Sequence, residues 1–304
     1  MGDPLPSWRP GAVRESVVAF LDAVTDVPVA DRLACFDNDG TLWCERPTYV
    51  QFDYLIDLLR AADRADATIQ DRPEYAAVLD GDPEAIGDLG LVRVALALTE
   101  LCEGWTPEEF TASVGAFMAR APHPTLGRRH RWAVYQPMLE LLDALRARDV
   151  TVSIVSGGGT EFVRAVSDDL YGVPPELVVG TMIAYDYDRD AGGRPRLRRT
   201  AEVDKGPNEG AAKVSAIQSQ LGRRPRLAAG NSGGDREMLE WAAGQDGPSL
   251  ALLVDHDDAD REVAYTSVAQ SFAEAEPITE VGSALGWTVV SMARDWAQVF
   301  PEAR

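Results

Sequence analysis

Residues 33–43 read LACFDNDGTLW: four apolar residues, Leu33 to Phe36, run straight into Asp37 and Asp39, and Gly40-Thr41 follows. The apolar run is short and continuous, as in a strand covered on both faces, and Gly-Thr marks the turn after it. The two acids therefore stand at the carboxyl end of a buried strand, with a turn to separate their roles. In open α/β sheets ligands bind at that end. Desolvated carboxylates repel one another and seek cations, so two of them in this place point either to a charged ligand or to a surface turn that one of them caps, and the rest of the chain must decide.

Working outward, further strand-like runs occur at 150–156 (VTVSIVS), 177–182 (LVVGTM), 226–230 (RLAAG), 249–254 (SLALLV) and 287–292 (WTVVSM). They are near-continuously apolar rather than alternating, as expected of parallel strands sandwiched between helices. Helical patterns separate them. Leu139, Leu141, Leu142 and Leu145 precede the second strand, Ile217 and Leu221 precede the fourth, and Met238, Leu239 and Trp241 follow it. This βα alternation predicts a doubly wound α/β core built on a parallel sheet.

Between the first and second strands the pattern is helical throughout. Phe52, Leu55, Ile56 and Leu59 share one helical face. The segment from Thr106 opens with that residue as N-cap, Pro107 in the first turn and Glu109 closing a capping box, then buries Phe110, Val114, Phe117 and Met118. A helical domain spanning 45–133 is thus expected within a core made of 1–44 and 134–304. Pro47 marks its entry, and Pro122, Pro124 and Gly127 its exit. The stretch 185–199 (YDYDRDAGGRPRLRR) reads as a polar hairpin or loop.

The chain has 304 residues and a formal net charge of -20, from 49 acids against 29 Lys and Arg. Such a balance argues against nucleic acid and anionic membranes as partners, and obliges any anionic substrate to find a local cationic site. Three cysteines give no paired framework, so a reducing cytoplasm is expected. No run is long enough to span a bilayer. A monomer or homodimer is expected.

Three more pieces fall at strand ends. After the second strand comes SIVSGGGT, where Ser156 ends the strand, Gly157 to Gly159 admit a ligand to the backbone, and a helix opens near Thr160. A hydroxyl and free N–H groups at a helix start suit a phosphate. After the fourth strand comes GNSGGD, in which Asn231 and Asp235 offer oxygen ligands to a hard cation such as Mg²⁺, and Asp235 can also cap the helix that follows. Upstream lie Lys205 and Lys213. Lys213 opens the helix that feeds the fourth strand and is the better placed of the two.

The order of acid pair, Ser-Gly, Lys and Gly-Asn-Ser-x-x-Asp resembles the haloacid dehalogenase superfamily. Its four motifs match D-x-D-G-T (Asp37 to Thr41), Ser156, Lys213 and G-N-S-G-G-D (Gly230 to Asp235). The helical segment between the first two motifs resembles the cap of the phosphoserine phosphatase-like branch. The resemblance implies a Mg²⁺-dependent phosphatase acting on a small phosphorylated metabolite. Asp37 would attack phosphorus and Asp39 would act as acid and then base. Lys213 would neutralise charge, with Thr41, Ser156, Gly157 and Gly158 around the phosphate. Asp37, Asp39 through its carbonyl, and Asn231 would hold the metal, with Asp235 beside them. The chain departs from the family pattern at Asn231, where an acid is usual. Glu45 lies near a position at which phosphoserine phosphatases carry a substrate-binding acid, one residue short.

A phosphotransferase or phosphomutase, a dehalogenase, and a non-catalytic sensor of phosphorylated ligands remain as alternatives. A dehalogenase has no need of Asp39, because halide leaves without a proton. The acid run 255–262 (DHDDADRE) reads as a solvated helix start, His123 and His130 as hinge surface, and Trp43, Trp105 and Trp132 as packing.

Overall fold

The computed structural model describes residues 2–267 and 276–302. A helix α1 (Ala12–Ala23) precedes the first strand β1 (Leu33–Phe36). Five helices follow: α2 (Val50–Ala65), α3 (Pro73–Asp80), α4 (Pro83–Leu89), α5 (Leu91–Thr99) and α6 (Pro107–Arg120). The chain then continues through α7 (Gln136–Arg146), β2 (Thr151–Gly159), α8 (Thr160–Tyr171), β3 (Val178–Arg189), β4 (Pro195–Asp204) and α9 (Ala211–Leu221). It ends with β5 (Leu227–Gly230), α10 (Arg236–Ala243), β6 (Leu250–Asp255), α11 (Ile278–Ala284), β7 (Thr288–Ser291) and the short α12 (Met292–Asp295).

The seven strands form one sheet in the order β4-β3-β2-β1-β5-β6-β7, parallel except for the antiparallel pair β3 and β4. From β1 the chain adds strands on one side and then crosses to β5 on the other, so strand order reverses between β1 and β5. Alternation along β1 explains its composition. Ala34 and Phe36 join one apolar cluster and Leu33 and Cys35 the other, one on each face of the sheet, and all four are fully buried.

Two expectations are revised here. The second strand does not stop at Ser156 but runs on to Gly159 through an irregularity in its pairing with β3. The third continues well beyond 182 and folds back as β4, which makes 185–199 a hairpin whose outer arm is antiparallel to the rest.

The segment between β1 and α7 is helical, as its periodicity requires. The capping box of Thr106 and Glu109 is formed at the start of α6. Tyr54 of α2 packs against Phe110 and Phe117 of α6 and against Phe162 of α8, with centroids 5.5–5.7 Å apart, which seats these helices on the sheet-flanking layer. A second attachment comes from the hairpin. Gly104 N–H donates to Arg199 O at 2.9 Å and Arg199 N–H to Trp105 O at 2.8 Å, so the outer edge of β4 is paired with the loop before α6. The Arg199 guanidinium, itself buried, lies 3.9 Å over the Phe110 ring and pairs with Glu161 of α8. No helix among the described residues is long and apolar enough to cross a membrane.

Candidate active site

The turn after β1 does what its residues ask. Asp37 N–H still donates to Ala229 O of β5 at 2.8 Å, and the chain then closes a turn in which Asn38 O accepts from Thr41 and Leu42. Gly40 sits at φ +73°, and a Cβ there would lie 1.9 Å from Asn231 Nδ2 and 3.0 Å from Glu45 Cδ. Glycine is needed both for the backbone and for the room. Asp37 is thereby aimed across the sheet's carboxyl edge towards β5, at the point where strand order reverses.

Lys213 arrives from the first turn of α9 and is almost wholly buried. Its Nζ lies 2.6 Å from Asp37 Oδ1, 2.6 Å from Asp235 Oδ1 and 2.8 Å from Val155 O. All three ammonium donors find an acceptor. Burial alone would depress this amine, but Asp235 and Asp37 outweigh it and hold it above the ordinary lysine value. Asp37 is pushed well above the ordinary aspartate value, first by burial and then by Asp235, with Lys213 opposing. Two buried carboxylates share one ammonium, and that excess of negative charge raises the proton affinity of the group.

Asp39 faces the same region from the other side of the turn. Its Oδ1 accepts from the Trp43 indole N–H at 2.9 Å, and Ser156 Oγ approaches its Oδ2 at 3.4 Å. Its carboxyl is pushed up to about 6, chiefly by burial, with the Trp43 bond pulling down and the Glu45 charge pushing up. The Ser156 hydroxyl in turn accepts from Gly158 N–H at 2.9 Å, which fixes the glycine turn.

The family model for haloacid dehalogenase-like hydrolases matches residues 34–240, from β1 through most of α10. The chain belongs to this family. As a haloacid dehalogenase-like hydrolase it is similar in fold to a protein with unknown function from Bordetella pertussis Tohama I, at 18% identity over 85% of this chain and 97% of that one, with a TM-score of 0.50. It also aligns with a phosphoserine phosphohydrolase-like protein from Francisella tularensis subsp. tularensis SCHU S4, at 17% identity, 84% and 99% coverage and a TM-score of 0.36. A probable phosphoserine phosphatase from Vibrio cholerae aligns at 14% identity, 91% and 73% coverage and a TM-score of 0.43. No curated protein sequence matches the chain.

In this hydrolase the expected site residues divide clearly. Asp37, Asp39, Thr41, Ser156, Gly157, Gly158, Lys213, Asn231 and Asp235 all stand at the carboxyl ends of β1, β2 and β5 or at the start of the helices beside them. Lys205 does not join them. It is exposed, at φ +64° just past the end of β4. Asp235 Oδ1 takes Lys213, while Oδ2 accepts from the N–H groups of Asn231 and Ser232 and from the Ser232 hydroxyl. It holds the lysine and the β5 turn. Glu45 is buried in the site against Asn231.

Several participants carry no clear signal in the sequence. Trp43 packs as expected, yet its N–H also anchors Asp39, a link hinted at by the four-residue spacing. Gln51 from α2 accepts from Gly159 N–H at 2.8 Å, bringing the helical insert into contact with the glycine turn. Asn208 Nδ2 donates to Ser156 O at 3.0 Å from a loop with no motif to mark it. The acid run 255–262 is not a solvated helix. His256, Asp258 and Glu262 are buried, and His256 Nε2 lies 2.8 Å from Gly40 O. His123 and His130 are likewise buried, tilted against one another, rather than forming a hinge surface.

The residues fit a divalent hard cation. Asp37 Oδ2 and Asn231 Oδ1 both face the Thr41 hydroxyl, at 3.4 and 3.5 Å, so two oxygen donors of different elements converge. Burial raises the proton affinity of both Asp37 and Asp39, so a cation bound beside them would favour their charged forms. Among the described residues no three His, Cys, Asp or Glu side chains form a metal centre by themselves. An amide oxygen beside a carboxylate oxygen is a donor pair that Mg²⁺ accepts.

Proposed function

We propose that this hydrolase is a Mg²⁺-dependent phosphomonoesterase acting on a small phosphorylated metabolite through an aspartyl-phosphate at Asp37. The observation that carries this reading is the Lys213 ammonium held at 2.6 Å from both Asp37 and Asp235, beside an Asp39 whose carboxyl is raised to about 6. A phosphate dianion brought to within 4 Å of an attacking carboxylate meets about 4 kcal/mol of repulsion per charge pair at an effective dielectric near 20. Lys213, already fixed, cancels part of that without reorganising. Asp37, the Asp39 carbonyl and Asn231 would hold Mg²⁺, which supplies the remaining positive charge to the phosphoryl oxygens.

Asp37, whose Oδ1 is held by Lys213, is the carboxylate suited to attack phosphorus. Displacing an alkoxide needs a proton, and Asp39 supplies it from a carboxyl that is protonated more readily than an ordinary aspartate. After departure of the alcohol the same carboxylate takes a proton from water, which then opens the acyl phosphate. Gly158 N–H, donating to Ser156 Oγ, closes the turn that would face the phosphate. A proton donor at Asp39 favours an oxygen leaving group over halide. Gln51 and Glu45 bring the insert to within hydrogen-bond distance of the site residues, which suits a compact substrate better than a macromolecular one.

A panel of phosphorylated metabolites assayed with Mg²⁺ and again with chelator tests the reading, with Asp37→Asn as control. Metal-dependent release of phosphate that vanishes in Asp37→Asn is expected. Transfer to an added alcohol in place of hydrolysis would reassign the enzyme to the phosphotransferases. No turnover of any phosphomonoester would leave the reading without support.

A further inference from the structure

A buried asparagine amide has two nearly isosteric ends, and which end faces where is set by the partners each one meets. At Asn231, only 1% exposed, the two ends meet opposite chemistry. Nδ2 donates to Glu45 Oε1 at 3.2 Å, while Oδ1 faces the Thr41 hydroxyl that also approaches Asp37. Glu45 Oε1 is itself fixed by a second donor, the Tyr265 hydroxyl at 2.6 Å. Tyr265 is held on both sides, by the His256 ring stacked at 4.4 Å and by the Arg46 guanidinium 4.4 Å over its own ring. Behind His256 stand Glu262 at 3.1 Å and, on Glu262, the Tyr135 hydroxyl at 2.7 Å. A carboxylate has been built in, braced and aimed at the amide nitrogen of the residue where the family pattern has an acid.

We infer that Glu45 is a positioning residue that orients Asn231 with its oxygen towards Asp37, and that residues 45 and 231 form one matched unit. The negative charge absent from position 231 stands one hydrogen bond further out, at Glu45. An aspartate at 231 would then set two carboxylates at hydrogen-bond distance with no proton between them. The functional side of this inference rests on the Mg²⁺-dependent reading of the site; the pairing itself does not.

Four proteins test it: the natural chain, Glu45→Gln, Asn231→Asp and the double variant. Melting temperature is measured in chelator, with neither metal nor substrate present. Asn231→Asp is expected to lower it by about 4 °C or more in the natural background, and by less than about 2 °C in the Glu45→Gln background, where the introduced amide can donate to the new carboxylate. Mg²⁺ binding is measured by calorimetry on the same proteins. Glu45→Gln, whose amide can face Asn231 either way, should weaken Mg²⁺ about fivefold or more, and half-saturation in turnover should shift with it while kcat changes less. An equal loss of melting temperature in both backgrounds, including failure of both to fold, would overturn the pairing. Coupled melting without turnover of any phosphomonoester would keep the pairing and remove the phosphatase reading. Turnover without coupling would do the reverse.

Discussion

The Trp43 indole N–H donates to Asp39 Oδ1 at 2.9 Å, so the carboxyl four residues upstream is anchored by one oxygen and presents the other towards Ser156. Burial raises the proton affinity of Asp39, and this bond opposes it. An acid that must be protonated to release an alcohol fails as pH rises through its own value, so kcat/KM for an alkyl phosphate should fall above pH about 6, approaching tenfold per unit. An aryl phosphate with a good leaving group should show a flatter profile. Trp43→Phe keeps an aromatic ring but deletes the bond that pulls Asp39 down, which should move the alkaline limb to higher pH. A limb that stays in place in this variant would separate Asp39 from the proton transfer.

Asp37 is the expected nucleophile. Asp37→Asn keeps the shape and the Thr41 contact but removes the attacking charge, and turnover should fall at least about a thousandfold, several kcal/mol of barrier. Mass spectrometry of the acid-quenched natural enzyme during turnover should show one phosphoryl group on the peptide containing residue 37. Phosphate on another peptide would move the nucleophile.

The two lysines differ in place and should differ in effect. Lys213→Ala strands Asp37 and Asp235 as buried, unpaired carboxylates, so both turnover and stability should suffer, the latter by about 3–5 kcal/mol. Lys205→Ala alters an exposed residue beyond β4 and should change kcat/KM by less than about tenfold. Steady-state kinetics with urea unfolding reads both, and a reversed order would return the motif role to Lys205.

Buried His130 makes stability depend on acid. Burial, with the adjacent His123 assisting, lowers the imidazole from 6.5 to about 4. The unfolded chain therefore takes up this proton first on acidification. The contribution is fully present above pH 6.5 and is lost progressively as pH falls towards about 4. Asp53, 3.5 Å away, is raised by its own burial and contributes with the opposite sign, so the comparison must be with a His130→Gln variant. Urea unfolding between pH 4 and 7 should give a shallower slope in that variant. Parallel slopes would mean that His130 takes up its proton equally readily in the folded and the unfolded chain.

The core was legible because its signals are local. Four apolar residues before Asp37, β-branched runs between helical patterns and a capping box at Thr106 each depend on a few neighbouring residues. The acids and Lys213 were legible for a related reason: strand ends and helix starts bring such groups to one edge wherever the topology is doubly wound. What stayed hidden depends on pairing across long sequence separations. Glu45 meets Tyr265, Gln51 meets Gly159, and His256 reaches back to Gly40. No periodicity records such contacts. The acid run at 255–262 misled because Asp and Glu are usually solvated, whereas here Glu262 accepts from Tyr135 and faces His256, and is sheltered by both.

The pairing of Gly104 and Trp105 with Arg199 has a consequence for the chain's solubility. β4 is the last strand of the sheet on its side, and an uncovered edge offers a row of donors and acceptors to any other edge it meets. Met182, Tyr187 and Leu197 on the same hairpin are 40, 63 and 43% exposed, adding apolar surface beside that edge. The helical insert therefore shields as well as shapes. A minimal enzyme trimmed of residues 45–133 would bare the β4 edge beside these already exposed side chains, and such a chain should self-associate strand to strand, whatever its remaining chemistry.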